Sequence, residues 1–99
     1  MRNELLELLS QVIALLEDCD WPDKARWFLE IRNSLKKPSS EAEFQETLRK
    51  LDKAISGMGS FADLPLTPRS RELTVAKARE MQWNLAQGLG EAIERLSTT

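Results

Sequence analysis

The chain has 99 residues, of which 41% are hydrophobic and 30% charged, and its net charge at neutral pH is −2. This length predicts a single helical domain, residues 1–99, built around one core. The absence of histidine and the presence of a single cysteine exclude a catalytic triad and a histidine- or cysteine-based zinc site. The weak net charge argues against nucleic-acid binding, and no apolar run is long enough to predict a membrane partner.

The first predicted helix runs from Asn3 to Asp18. Apolar residues recur along it at the spacing of one helical face, and they are Leu5, Leu8, Leu9, Val12, Ile13 and Leu16. Leu6 and Leu15 widen this face, which indicates that the helix is contacted from more than one side. Cys19 follows it and can form no disulfide within the chain, so we predict a reducing, cytoplasmic location.

The second predicted helix opens after Asp20, whose carboxylate is a plausible N-cap, with Pro22 in the first turn. Its apolar stripe again has the helical period and consists of Trp21, Ala25, Phe28, Ile31 and Leu35. Pro38 ends the helix because proline cannot continue the backbone hydrogen bonding.

The third predicted helix begins with a capping box, in which the Ser40 hydroxyl accepts from the Glu43 amide and Glu43 reaches back. Its core face consists of Phe44, Leu48, Leu51 and Ile55. Gly57 is expected to be the left-handed residue that follows the last turn.

The fourth predicted helix begins between Pro68 and Arg71, with Thr67 or Ser70 as its N-cap, and runs to about Leu96. At 1.5 Å per residue it would be roughly 40 Å long.

Gly88 and Gly90 are costly inside this fourth helix, so we interpret them as a bend or a close helix contact. Four amphipathic helices with short connections predict an all-α fold: an antiparallel bundle of four helices with a long ordered loop between helices three and four. No segment shows the alternation that a strand requires.

The loop between the third and fourth helices contains two of the four glycines, two of the four prolines and an unusual apolar content. Its apolar residues are Met58, Phe61, Leu64 and Leu66. Such a loop either covers the core or forms a binding surface, and the sequence leaves both readings open.

Acidic residues cluster where the first helix ends and the second begins. Residues 1–20 carry one basic and five acidic side chains, whereas residues 21–40 carry five basic and two acidic ones. The cluster consists of Glu17, Asp18, Asp20 and Asp23. Helix capping and solvation explain it, and a negative patch facing a basic partner is the functional alternative. We expect no catalysis, no metal and no cofactor here.

Two of the three tryptophans have open roles. Trp21 falls on the core stripe of the second helix, but Trp27 lies at its edge and Trp83 lies off the main face of the fourth helix. Aromatic side chains at such positions either close a small core or anchor an interface.

The segment from Trp27 to Leu35, followed by Ile55-Ser56-Gly57-Met58-Gly59-Ser60-Phe61-Ala62-Asp63-Leu64, resembles a family of small, largely uncharacterised bacterial helical proteins. These proteins have a tryptophan in the second helix and a Gly-Met-Gly-Ser-x-x-Asp-Leu loop. They resemble immunity proteins, which bind and neutralise a partner toxin. The resemblance implies a protein partner of that kind.

The sequence therefore predicts a non-enzymatic, cytoplasmic protein-binding module, most concretely a bacterial immunity or antitoxin-like protein that occludes a partner toxin. The alternative is a self-associating homodimeric structural module. The expected contact residues for the partner are Glu17, Asp18, Asp20, Trp21, Asp23, Met58, Phe61 and Asp63.

Overall fold

A computed structural model describes residues 2–55, 61–69 and 71–97. The predicted all-α bundle of four helices is confirmed, and these ranges contain no β-strand. The helices are α1 (Arg2–Asp18), α2 (Pro22–Lys36), α3 (Glu41–Ile55) and α4 (Val75–Leu96), and a single 3₁₀ turn lies at Phe61–Asp63. No helix in the described ranges has both the length and the apolarity that crossing a membrane requires.

The helices alternate in direction and form a closed ring of neighbours. α1 and α3 each pack against both α2 and α4. At one end of the bundle Arg2 pairs with Glu41 at 3.0 Å and Arg95 with Glu4 at 3.9 Å, so the beginnings of α1 and α3 meet the end of α4 there. The opposite end, where α1 ends, α2 begins and residues 61–69 cross, is called the loop end below. The molecule measures 42 × 23 × 20 Å.

The core follows the predicted apolar faces. The side chains that are almost fully buried come from three helices and the 3₁₀ turn, and they include Leu5, Leu9, Val12, Leu16, Phe44, Leu48, Leu51, Phe61 and Leu89. Leu15 is also buried, which confirms that the apolar face of α1 is broader than one stripe. Since burial of a leucine side chain contributes roughly 2 kcal/mol, this set dominates the stability of the fold.

The start of α3 is as predicted, and the start of α4 is not. The Glu43 amide donates to Ser40 Oγ at 3.1 Å, and the Glu43 carboxylate reaches back to the Ser39 amide at 3.3 Å. For α4 the N-cap is Thr74, whose hydroxyl accepts from the Lys77 amide at 3.0 Å.

The expected start between residues 68 and 71 was therefore wrong, because the chain must first cross the loop end before it turns into α4. The helix has 22 residues, about 33 Å at 1.5 Å per residue.

The two glycines of α4 have different surroundings. A Cβ atom at Gly88 would meet the methyl groups of Leu8 at 3.4 Å, so Gly88 marks a close approach of α4 to α1. A Cβ atom at Gly90 would meet no described residue within 4 Å beyond its own stretch of helix. The expected role of Gly57 after α3 lies outside the described residues.

Candidate functional site at the loop end

Three hydrogen bonds tie residues 61–69 to the junction of α1 and α2. The Trp21 indole N–H donates to the Pro65 carbonyl at 2.9 Å. Arg69 donates twice, from its amide to the Asp18 carbonyl at 3.0 Å and from its guanidinium to the Glu17 carbonyl at 2.8 Å. The Asp18 and Glu17 carbonyls belong to the last turn of α1, where carbonyls have no partner within the helix. The loop therefore completes the end of α1 and is held in one position by it.

A second anchor holds the loop from the other side. The amide of Gln82 in α4 donates to the Phe61 carbonyl at 2.6 Å and to the Leu64 carbonyl at 2.9 Å. Gln82 is buried, with 5% of its surface exposed. A buried amide with two main-chain acceptors adds two directional hydrogen bonds to the apolar contacts that hold the loop. Position 82 lies one turn from core residues of α4, but a glutamine there gives no indication in the sequence that its side chain is buried and holds the loop.

The chain turns from α1 into α2 through Asp20, which has a positive φ of 65°. The Asp20 amide donates to the Glu17 carbonyl at 3.5 Å, and the Trp21 amide donates to the Leu16 carbonyl at 2.8 Å. These two bonds form a Schellman motif, in which the left-handed residue ends the helix. Asp20 therefore terminates α1, and the expectation that it caps α2 was wrong. The N-cap of α2 is Trp21, whose side chain forms no capping hydrogen bond with the helix.

The four acidic residues at this junction lie on the surface. Glu17, Asp20 and Asp23 are exposed and Asp18 is half-buried. None of the four carboxylates forms an ion pair within the described residues. The Arg69 guanidinium, which lies at this junction, binds the main-chain carbonyl of Glu17 and not its carboxylate. No set of three or more acidic or cysteine side chains in the described ranges is arranged to hold a metal ion.

Cys19 lies within this junction but is buried. Burial, and to a smaller degree the neighbouring Asp18 carboxylate, raise the pKa of the Cys19 thiol above its usual value. The thiol is therefore protonated at neutral pH, which makes it a poor nucleophile.

The loop residues predicted to contact a partner have different positions. Phe61 is 2% exposed, and its ring lies 5.9 Å from that of Phe28 in an edge-to-face arrangement. It belongs to the core, so its expected role as a surface contact is not compatible with this conformation. Asp63 is exposed on the same loop, and Met58 lies outside the described residues.

A pocket of about 320 Å³ opens between the loop and the first turns of α4. Its walls include the apolar side chains of Leu64, Pro65 and Val75, and its charged residues are Asp63 and Arg79. Val75 leaves 53% of its surface exposed there. Among the described residues that line the pocket, no nucleophile is paired with a base, and the pocket extends the loop-end surface with a depression of mixed polarity.

The tryptophans also separate. Trp21 is half-buried, Trp27 is 37% exposed with its ring 5.0 Å from that of Phe28, and Trp83 is 61% exposed. The exposed Trp83 lies on the side of α4 and not at the loop end.

Comparison with known proteins finds no matching family model, no similar curated protein and no similar solved structure.

Proposed function

We propose that the protein is a non-enzymatic protein-binding module that occludes a basic site on a partner protein with its loop end. The partner would be a toxin that is neutralised in the cytoplasm, as the resemblance to immunity proteins implies. The observation that carries the proposal is the acidic patch, defined as Glu17, Asp18, Asp20 and Asp23, which has no ion pair within the described residues.

The patch is supported by a fixed frame. The bonds from Trp21 and Arg69 join the junction of α1 and α2 to the loop, and Gln82 joins the loop to α4. A surface that is already ordered loses less conformational entropy when it binds, so more of its contact energy contributes to affinity.

The patch suits a basic partner for kinetic as well as energetic reasons. Several like charges on one end of a small molecule steer an oppositely charged partner and raise the association rate. The half-buried Trp21 indole stands among these charges, and tryptophan at the centre of an interface is often its strongest anchor.

The test begins with capture from a native lysate of the source organism, followed by affinity measurement with the purified partner. The test variant is Glu17→Gln/Asp20→Asn/Asp23→Asn, because asparagine tolerates the positive φ of position 20. The matched control, Glu30→Gln/Glu46→Gln/Glu91→Gln, removes the same charge from exposed positions elsewhere on the bundle.

A single stoichiometric basic protein is expected, bound roughly tenfold or more weakly by the patch variant than by the control. Binding should also weaken as salt rises. The proposal is contradicted if micromolar protein retains no stoichiometric partner, or if the patch variant and the control bind equally well.

A further inference from the structure

The side of α4 carries the most exposed large apolar side chain among the described residues. Trp83 leaves 61% of its surface in solvent. It directly follows the loop anchor Gln82 in sequence but lies about 100° from it around the helix, and the proposed function does not use it. An exposed tryptophan stands out because this residue type is enriched among the anchors of protein interfaces.

Trp83 belongs to a stripe of five residues, which we call the α4 stripe. Steps of four, three, four and four residues along α4 lead through Arg79, Trp83, Ala86, Gly90 and Glu94. At about 100° per residue these steps keep all five within a sector of about 80° on the helix surface. The α4 stripe therefore forms one face of the helix. Trp83 projects from it as a large knob, Ala86 and Gly90 are small, and Arg79 and Glu94 place opposite charges at its two ends.

Gly90 provides the hole that matches the knob. No described residue beyond its own stretch of helix lies within 4 Å of the position where a Cβ would stand, so no neighbour in the described part of the chain explains a glycine there. Glycine inside a helix is unfavourable relative to alanine. The space above Gly90 is open to a side chain from outside.

The stripe is symmetric about a point midway between Ala86 and Gln87. Trp83 and Gly90 lie equally far from this point along the sequence, and so do Arg79 and Glu94. We propose that α4 pairs antiparallel with α4 of a second copy of this chain. Each Trp83 then covers Gly90 of the second copy, and each Arg79 faces its Glu94.

The charges at the ends of the stripe are available for such pairing. Arg79 and Glu94 are both exposed, and neither forms an ion pair within the described part of the chain. Other charged residues of the same helix are engaged internally, Lys77 with Glu80 at 3.5 Å and Arg95 with Glu4 at 3.9 Å. A two-fold axis would create two Arg79–Glu94 pairs from one sequence match.

The size of the stripe sets the expected strength of the dimer. One pair of helices forms an interface at the small end of the range for protein complexes, ~1,200 Å² or less, and interfaces of that size belong to weak complexes. We therefore expect a weak dimer. This pairing uses no residue of the acidic patch, although Arg79 also lines the pocket at the loop end.

The test is sedimentation equilibrium of the full chain between about 10 μM and 1 mM, the range that covers such dissociation constants. Arg79→Glu and Glu94→Arg each replace two attractive pairs by two repulsive ones, and each should weaken the dimer about tenfold. The double variant restores opposite charges and should return to within about threefold of the wild type. Arg26→Glu, an exposed reversal on α2, is the matched control and should change nothing.

Trp83→Ala should reduce dimerisation by more than about thirtyfold, because it removes the knob. All these positions are exposed, and circular dichroism checks that each variant folds. A wild-type protein that stays monomeric up to 1 mM overturns the pairing. A dimer that is unaffected by the single reversals, or not recovered in the double variant, overturns it as well.

Discussion

Replacement of Gln82 by methionine tests whether the buried amide holds the loop end together. Methionine keeps the length and the apolar stem of the side chain and has a similar helix propensity, but it cannot donate. The change removes the bonds of 2.6 Å to the Phe61 carbonyl and 2.9 Å to the Leu64 carbonyl. The loss of stability therefore measures those two bonds.

The expected magnitude follows from these contacts. Two bonds at about 1 kcal/mol each give a loss of about 2 kcal/mol. The Phe61 carbonyl keeps a second donor, the Leu64 amide at 3.3 Å, and the half-buried Leu64 carbonyl can reach water. The penalty for an unsatisfied acceptor is therefore small, and the total does not rise far above this figure. For a domain of this size, about 2 kcal/mol lowers Tm by roughly 8–16 °C.

The measurement is urea unfolding of Gln82→Met beside Gln11→Met, the same exchange at an exposed position of α1. The exposed control should stay within about 0.5 kcal/mol of the wild type. An unchanged slope with a lower midpoint would show that the folded state alone is affected. A loss below about 0.5 kcal/mol for Gln82→Met, or an equal loss for both variants, would refute the anchoring role.

Four further variants probe two backbone positions and the buried thiol. Gly90→Ala should raise the free energy of unfolding by about 0.5–1 kcal/mol in dilute protein, since no described residue beyond its own stretch of helix lies within 4 Å of the added methyl group. A lower Tm than that of the wild type would contradict the open space at this position. Asp20→Gly should stabilise the protein by about 0.5–1 kcal/mol, because glycine adopts the φ of 65° at position 20 without steric cost. Asp20→Val should destabilise the protein, because a β-branched side chain disfavours that backbone conformation. Equal Tm values for the two variants would refute the left-handed turn. Burial raises the pKa of the Cys19 thiol, so its contribution to stability is complete below the thiol pKa of the unfolded chain and declines as pH rises towards the native pKa. Urea unfolding at several pH values from neutral to alkaline measures this decline. In Cys19→Ala the free energy of unfolding should fall less steeply with pH, and an equal pH dependence in both proteins would contradict the effect of the thiol.

Local patterns in the sequence determined the fold class and most helix bounds. Apolar residues spaced for one helical face can bury only against other helices, which requires a bundle. The Ser40 and Glu43 cap of α3 was predictable because both partners lie within one turn. The acidic residues could likewise be placed at the junction of α1 and α2 from chain order alone, although their freedom from ion pairs could not.

The tertiary structure decided the arrangement of the loop end, because its contacts join residues far apart in sequence. Trp21 and Pro65 are 44 positions apart, and Arg69 and Glu17 are 52 apart. No short stretch of sequence contains both members of such a pair. Thr67, Ser70 and Thr74 each carry a hydroxyl suited to cap α4. The bonds from Arg69 to the end of α1 hold the chain at the loop end, so α4 begins only after Thr74. The same loop closure places Phe61 against Phe28 in the core instead of on the surface. Local periodicity thus determined which faces are buried, and long-range packing decided which residues remain outside to meet a partner.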